Sequence, residues 1–171
     1  MKVNIRKNIF ETNSSSTHAI MVQANYQKTT HDRWTLQEGL DQLKAMGATV
    51  KGDPDEWEGI TVDLSSIDPE LMEFGRTEEA YNQWGMKLLY AVVSFRGDEF
   101  LWGGLINYLK KLGIQTLMMP VKYDDYNPKG LPIGYIDHDS TEALAEIFGR
   151  GMSFEGYLTR KDVYLVIDNE G

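Results

Sequence analysis

Apolar and polar positions along the chain change period several times, and each change marks an element. In residues 2–10, Val3, Ile5, Ile9 and Phe10 are apolar with lysine and arginine between them, which predicts a strand. Thr12 to Thr17 is a run of six small polar residues of the kind that hydrogen-bond their own backbone in turns. His18-Ala-Ile-Met-Val22 then resumes a strand, so the two runs form a hairpin with a polar connection. Thr35 to Met46 predicts a helix: Thr35 and Glu38 make a capping box, Leu36, Leu40 and Leu43 share a face, and Gly47 ends it. Residues 51–58 are a loop, and Ile60 to Leu64 alternates as a half-buried strand. Asp68-Pro69-Glu70 opens a short helical turn with proline at its first position.

Further on, Tyr81, Trp84, Leu88, Val92 and Phe95 recur at three- or four-residue steps and predict a helix over 77–95. Arg96-Gly97 breaks it. Asp98 caps a second helix in which Leu101, Leu105, Leu109 and Leu112 repeat. Gly103-Gly104 within that helix costs stability of about 1 kcal/mol each against alanine, which a close helix crossing or a kink would explain. Ile114 to Met119 reads as a buried strand ended by Pro120. Residues 122–134, rich in Tyr, Asp, Pro and Gly, read as a long loop or flap. A short helix over 140–148 and a closing strand over 162–168 complete the chain. These elements lack a strict βαβ rhythm. The expected fold is therefore α+β, a mixed or antiparallel sheet packed against about four helices, in a single domain over 1–171.

Charge changes the picture more than composition does. The 171 residues hold 17 basic and 26 acidic side chains, a net −9. Residues 1–34 are nevertheless basic, with Lys2, Arg6, Lys7, Lys28 and Arg33 against Glu11 and Asp32. Residues 53–79 carry ten acids against Arg76 alone. A chain of this sign repels phosphate backbones, so general nucleic-acid binding is not expected. The acidic stretch reads either as a partner surface or as a solvated, solubilising segment. There are no cysteines, which removes disulfides, thiolate metal sites and thiol nucleophiles. No apolar run approaches the ~20 residues that span a bilayer, and the first ten residues lack the apolar core of a secretory leader. The expected location is the cytoplasm, with no membrane partner.

Two segments carry candidate chemistry. Asn13, Ser14, Ser15, Ser16 and Thr17 offer hydroxyls and backbone N–H groups that can form an anion-binding nest, with Arg6 on the preceding strand and His18 directly after. The plain alternative is a solvated hairpin turn. The second segment is Gly134-Tyr-Ile-Asp-His-Asp-Ser140. Asp139 and Glu142 form a capping box, so His138 precedes a helix N-terminus, where unpaired N–H groups favour an anion. Asp137 and Asp139 flank His138 and can orient its imidazole; a capped helix start with an incidental histidine is the alternative. His18 and His138 are two of only three histidines. If the fold brings them within about 10 Å, one acts as base and the other as acid on one phosphorylated ligand; they are the candidate catalytic pair. Asp137, His138 and Asp139 with His18 form an N/O set, but no paired-histidine metal spacing supports it, so neither a metal nor a cofactor is expected. No Walker A loop, dinucleotide fingerprint or nucleophile elbow is present. Trp84 and Trp102 are expected in the core.

The string Phe10-Glu-Thr-Asn-Ser-Ser-Ser-Thr-His18, with basic residues before it, resembles the N-terminus of uncharacterised proteins encoded by tailed bacteriophages and prophages. Gly134 to Ser140 resembles a second segment of those proteins. The likeness covers about twenty residues in two blocks and their order. It implies phage origin, a host-cytoplasmic location and joint use of the blocks, and no reaction. Two further roles stand beside a nucleotide-binding pocket: an inhibitor that docks on a host protein through residues 53–79, and a phage structural component. Homo-oligomers fit any of the three.

Overall fold

The segment Trp84–Phe95 contains one charged residue, Lys87, among twelve. A helix apolar on every side has no face to offer water and must be enclosed. The computed structural model describes residues 2–9, 17–25, 31–75, 79–95, 98–124, 127–132, 134–136 and 141–170. Five α-helices lie among these: α1 (Leu36–Ala45), α2 (Trp84–Phe95), α3 (Glu99–Lys111), α4 (Thr141–Gly149) and α5 (Phe154–Thr159). All twelve residues of α2 are buried, and α1, α3, α4 and α5 all pack against it.

The strands form an antiparallel sheet and smaller companions. β1 (Lys2–Ile9) and β2 (Thr17–Asn25) make the expected hairpin. β11 (Tyr164–Glu170) pairs with β2, and β6 (Glu79–Tyr81) with β11, giving the order β1-β2-β11-β6. Val22 lies opposite Leu165, and both are fully buried, so the register turns one face of the sheet to the core. A mixed sheet joins β3 (Thr49–Lys51), β4 (Ile60–Asp63) and β7 (Ile114–Met118) in that order, β4 and β7 being parallel. β5 (Glu73–Phe74) pairs in parallel with β10 (Tyr135–Ile136). β8 (Val121–Asp124) and β9 (Asn127–Pro132) form a two-stranded ribbon. The fold is α+β.

Local signals set many boundaries. Thr35 Oγ1 accepts from Glu38 N at 3.1 Å, and Glu38 Oε1 accepts from Thr35 N at 3.2 Å, closing the capping box of α1. Asp98 Oδ1 accepts from Phe100 N and Leu101 N, both at 3.0 Å, at the start of α3. Asp68 caps a 3₁₀ turn over Pro69–Met72.

Elsewhere tertiary pairing overrides local pattern. The predicted helix over 77–95 begins only at Trp84, because Glu79–Tyr81 is held as a strand by β11. The expected loop over 122–134 holds the β8–β9 ribbon instead. β7 is an edge strand, buried at Ile114 and exposed at Gln115, Thr116 and Met118, so its apolar run does not mark a core strand. α5, capped by Ser153, had no periodic signal in six residues. Of the two α3 glycines, Gly104 lies where a Cβ would meet Phe154 Cε2 at 2.9 Å, as a close crossing requires. A Cβ on Gly103 would meet nothing within 4 Å. Trp84 is core, whereas Trp102 is half-buried.

Helices α1 and α2 approach closely through glycine. A Cβ on Gly39 would lie 2.6 Å from Trp84 Cδ2, and one on Gly85 would lie 2.6 Å from Met46 Cε. Gln42 Oε1 accepts from Gly85 N at 2.9 Å, satisfying a donor of the first turn of α2. Gly39→Ala is therefore expected to destabilise by about 1–3 kcal/mol, because the rigid indole cannot yield. Gly103→Ala is expected to stabilise by about 0.5–1 kcal/mol, since it gains helix propensity in open space. Urea denaturation of the two variants checks both signs.

Candidate functional site

Most of the polar residues singled out in the sequence lie outside the described residues: Asn13, Ser14, Ser15, Ser16, Asp137, His138, Asp139 and Ser140. Arg6, Thr17 and His18 belong to the hairpin strands. Arg6 is in register with Met21, and Thr17 with Glu170. His18 is in register with Ile9 on one side and Asn169 on the other, within the four-stranded sheet. Helix α4 starts at Thr141, directly after Ser140, and packs against both β1 and β2. The hairpin strands that flank the 10–16 segment and the helix that follows the 137–140 segment thus pack against each other, while β10, which precedes that segment, pairs with β5.

A charged cluster that sequence reasoning missed sits where α2, α5 and the segment before α1 converge. Lys87 is fully buried, and its Nζ donates to Arg160 O at 2.8 Å and to Val163 O at 3.1 Å. Tyr157 Oη, also buried, donates to Lys87 O at 3.0 Å. Arg160 grips Asp162 through two contacts, Nε to Oδ1 at 3.0 Å and Nη2 to Oδ2 at 2.9 Å. The paired geometry is that of a strong guanidinium–carboxylate fork. His31 Nδ1 approaches Asp162 Oδ2 at 3.3 Å, outside hydrogen-bond geometry.

Neighbouring contacts stitch residues 31–35 to the same place. Trp34 N donates to Thr159 O at 2.7 Å, and Lys161 N to Asp32 O at 2.9 Å. Trp34 Nε1 donates to Asn82 O, and Asn82 Nδ2 to Lys161 O, each at 3.0 Å. The Lys161 ammonium lies 4.2 Å from the Trp34 ring centroid, a cation–π contact.

Burial dominates the electrostatics of Lys87. It lowers the ammonium pKa to about 7; Asp162 works against that shift and Arg160 adds to it. The Arg160 hydrogen bonds hold the Asp162 carboxyl below its usual range, with burial opposing. Chemically, a lysine of this kind exchanges a proton near neutral pH. Two of its N–H groups nevertheless end on backbone carbonyls, so the arrangement acts as a latch between α2 and the α5–β11 connection. The signal in the sequence was one lysine in a twelve-residue apolar run.

No group of three or more His, Asp or Glu that could hold a metal is found among the described residues. Among them, no helix is long and apolar enough to cross a membrane.

The latch predicts a pH dependence. Folded Lys87 releases its proton near 7, while the unfolded lysine keeps it to about 10.4. Between these values the unfolded chain binds more protons, so stability rises with pH, by up to about 1.4 kcal/mol per unit from this group. Below pH 7 both states are protonated and the slope vanishes. Lys87→Met is expected to remove this component, so the wild-type-minus-variant stability rises from pH 7 to 10 in urea titrations. A pH-independent difference contradicts it. No family model matches the chain, nor does any curated protein or solved structure.

Proposed function

We propose that this chain binds a phosphorylated, nucleotide-like small molecule in a polar pocket formed by its 13–18 and 137–140 segments, and sequesters or hydrolyses it. The observation that carries the reading is the packing of α4 on β1 and β2. The 10–16 segment joins those two strands, and the 137–140 segment leads directly into that helix. In this reading Asn13 to Thr17 donate hydrogen bonds to phosphate oxygens, Arg6 adds positive charge, and Ser140 with the start of α4 completes the anion cradle. His18 and His138 serve as base and acid, Asp137 and Asp139 orienting the latter. The basic balance of residues 1–34 draws an anion to this part of an otherwise acidic chain. The phage resemblance points to a nucleotide signal of host immunity as the ligand and to the host cytoplasm as the place of action.

A second reading is favoured by a separate observation. Residues 51–58 are all exposed, and Asp55, Glu56 and Glu58 form no ion pair with a described residue. This acidic turn would then dock on a protein partner. Charge reversal at the three positions is expected to abolish that docking.

The pocket reading is tested by calorimetry and thermal shift against a panel of nucleoside mono-, di- and triphosphates and cyclic dinucleotides. Wild type is expected to bind at least one, and His18→Ala and His138→Ala to bind it at least about tenfold more weakly, a loss of ~1.4 kcal/mol. No response in wild type, or equal affinity in both variants, contradicts the pocket. Product formation from the bound nucleotide separates hydrolysis from sequestration.

A further inference from the structure

Trp57 is 98% exposed, the most exposed of the large apolar side chains described. It sits on a turn with defined geometry. Asp55 N donates to Asp53 Oδ1 at 2.9 Å, Glu56 N to Asp53 O at 3.2 Å, and Gly59 N to Glu56 O at 3.0 Å. Pro54 packs so closely on the bend between α3 and β7 that a Cβ on Gly113 would lie 2.6 Å from Pro54 Cβ. An indole held on an ordered turn, flanked by Glu56 and Glu58, exposes apolar surface that a binding partner would bury.

A cleft lined in part by a cation, Lys110, adjoins this turn. The cleft, of about 370 Å³, lies between α3 and β7 and is lined by Trp102, Ile106, Leu109, Lys110, Gln115 and Leu117. Trp102, Ile106 and Lys110 recur at four-residue steps and so line one side of α3. The volume is within the range of small-molecule and side-chain pockets. The Lys110 ammonium makes no ion pair with a described residue. The turn adjoins this cleft: a Cβ on Gly59 would lie 2.5 Å from Gln115 Cγ. Trp57 nevertheless stays out of the cleft of its own chain, as its exposure shows.

Taking the docking reading of the acidic turn as its base, we propose that the partner is a second copy of this chain, with Trp57 of each copy seated in the α3–β7 cleft of the other and Glu56 and Glu58 facing the other copy's Lys110. Because turn and cleft are adjacent on one molecule, a two-fold axis beside them closes both contacts at once, as an isologous dimer requires. Two buried tryptophans remove roughly 300–500 Å² from water, a minor share of the ~1,200–2,000 Å² of a standard interface, so the dimer is a weak, concentration-dependent one. The ion pairs lie at its rim and set the register of the two copies more than their affinity.

Sedimentation equilibrium on the full chain tests this, from about 1 μM to about 1 mM, a range that brackets dimers of moderate affinity. Wild type is expected to dimerise reversibly. Trp57→Ala, at a position with almost no folded contacts, is expected to raise the dissociation constant at least ~tenfold. Lys110→Glu is expected to weaken the dimer, and Glu58→Lys combined with Lys110→Glu to restore it. Circular dichroism confirms that each variant is folded. A monomer throughout, or a dimer indifferent to Trp57→Ala, overturns the self-association. A monomer leaves the wider docking reading standing on its own test, charge reversal at Asp55, Glu56 and Glu58.

Discussion

A helix without a solvent face is the constraint on which the rest of the structure depends. Every residue from Trp84 to Phe95 is buried, so the other four helices are arranged around it, and so are β10 and the 3₁₀ turn at Pro69–Met72. Burial of this apolar surface is the main gain of folding, at about 25 cal/mol per Å² removed from water. Its geometry also dictates where glycine is needed. Gly39 lets α1 approach Trp84, and Gly104 lets α3 accept the Phe154 ring. On the side of α5 and α4, Phe95, Phe148, Phe154 and Tyr157 fill the space with edge-on and tilted rings.

Lys87 breaks the apolar surface of α2. A buried amine is costly unless its donors are met, and here two backbone carbonyls accept from it. Those carbonyls belong to the turn between α5 and β11, which must therefore stay seated on α2. The Arg160–Asp162 fork and the strip from His31 to Thr35 reinforce the same turn. β11 leaves it to run between β2 and β6. The interior thus reaches the β1–β2 hairpin, and with it the borders of the 10–16 segment, through a chain of packed and hydrogen-bonded parts.

Much of this architecture was legible in the sequence, because its causes are local. Capping residues at Thr35, Asp68 and Asp98 and the leucine spacing of α3 state their elements outright. The hairpin was legible from two alternating runs around a polar break. What was hidden depends on partners distant in the chain. Glu79–Tyr81 is a strand only because Leu165–Ile167 lies beside it. Ile114–Met118 has the composition of a core strand but lies at a sheet edge, where only Ile114 is buried. The Lys87 latch joins residues more than 70 positions apart, and no spacing rule reaches that far. Of the candidate pocket, Arg6, Thr17 and His18 have a place in the sheet register. The residues expected opposite them fall outside the described part of the chain.

In the proposed function, two polar segments far apart in sequence serve a single phosphorylated ligand. With only three histidines in the chain, imidazole resonances give a simple and assignable spectrum. His31, beside Asp162 in the latch, serves as the internal reference. The most direct measurement is therefore a nuclear magnetic resonance titration of histidine-labelled protein with the nucleotide that binds. His18 and His138 are expected to shift together along one saturation curve while His31 stays still. A shift at one of the pair alone, or at neither, contradicts it.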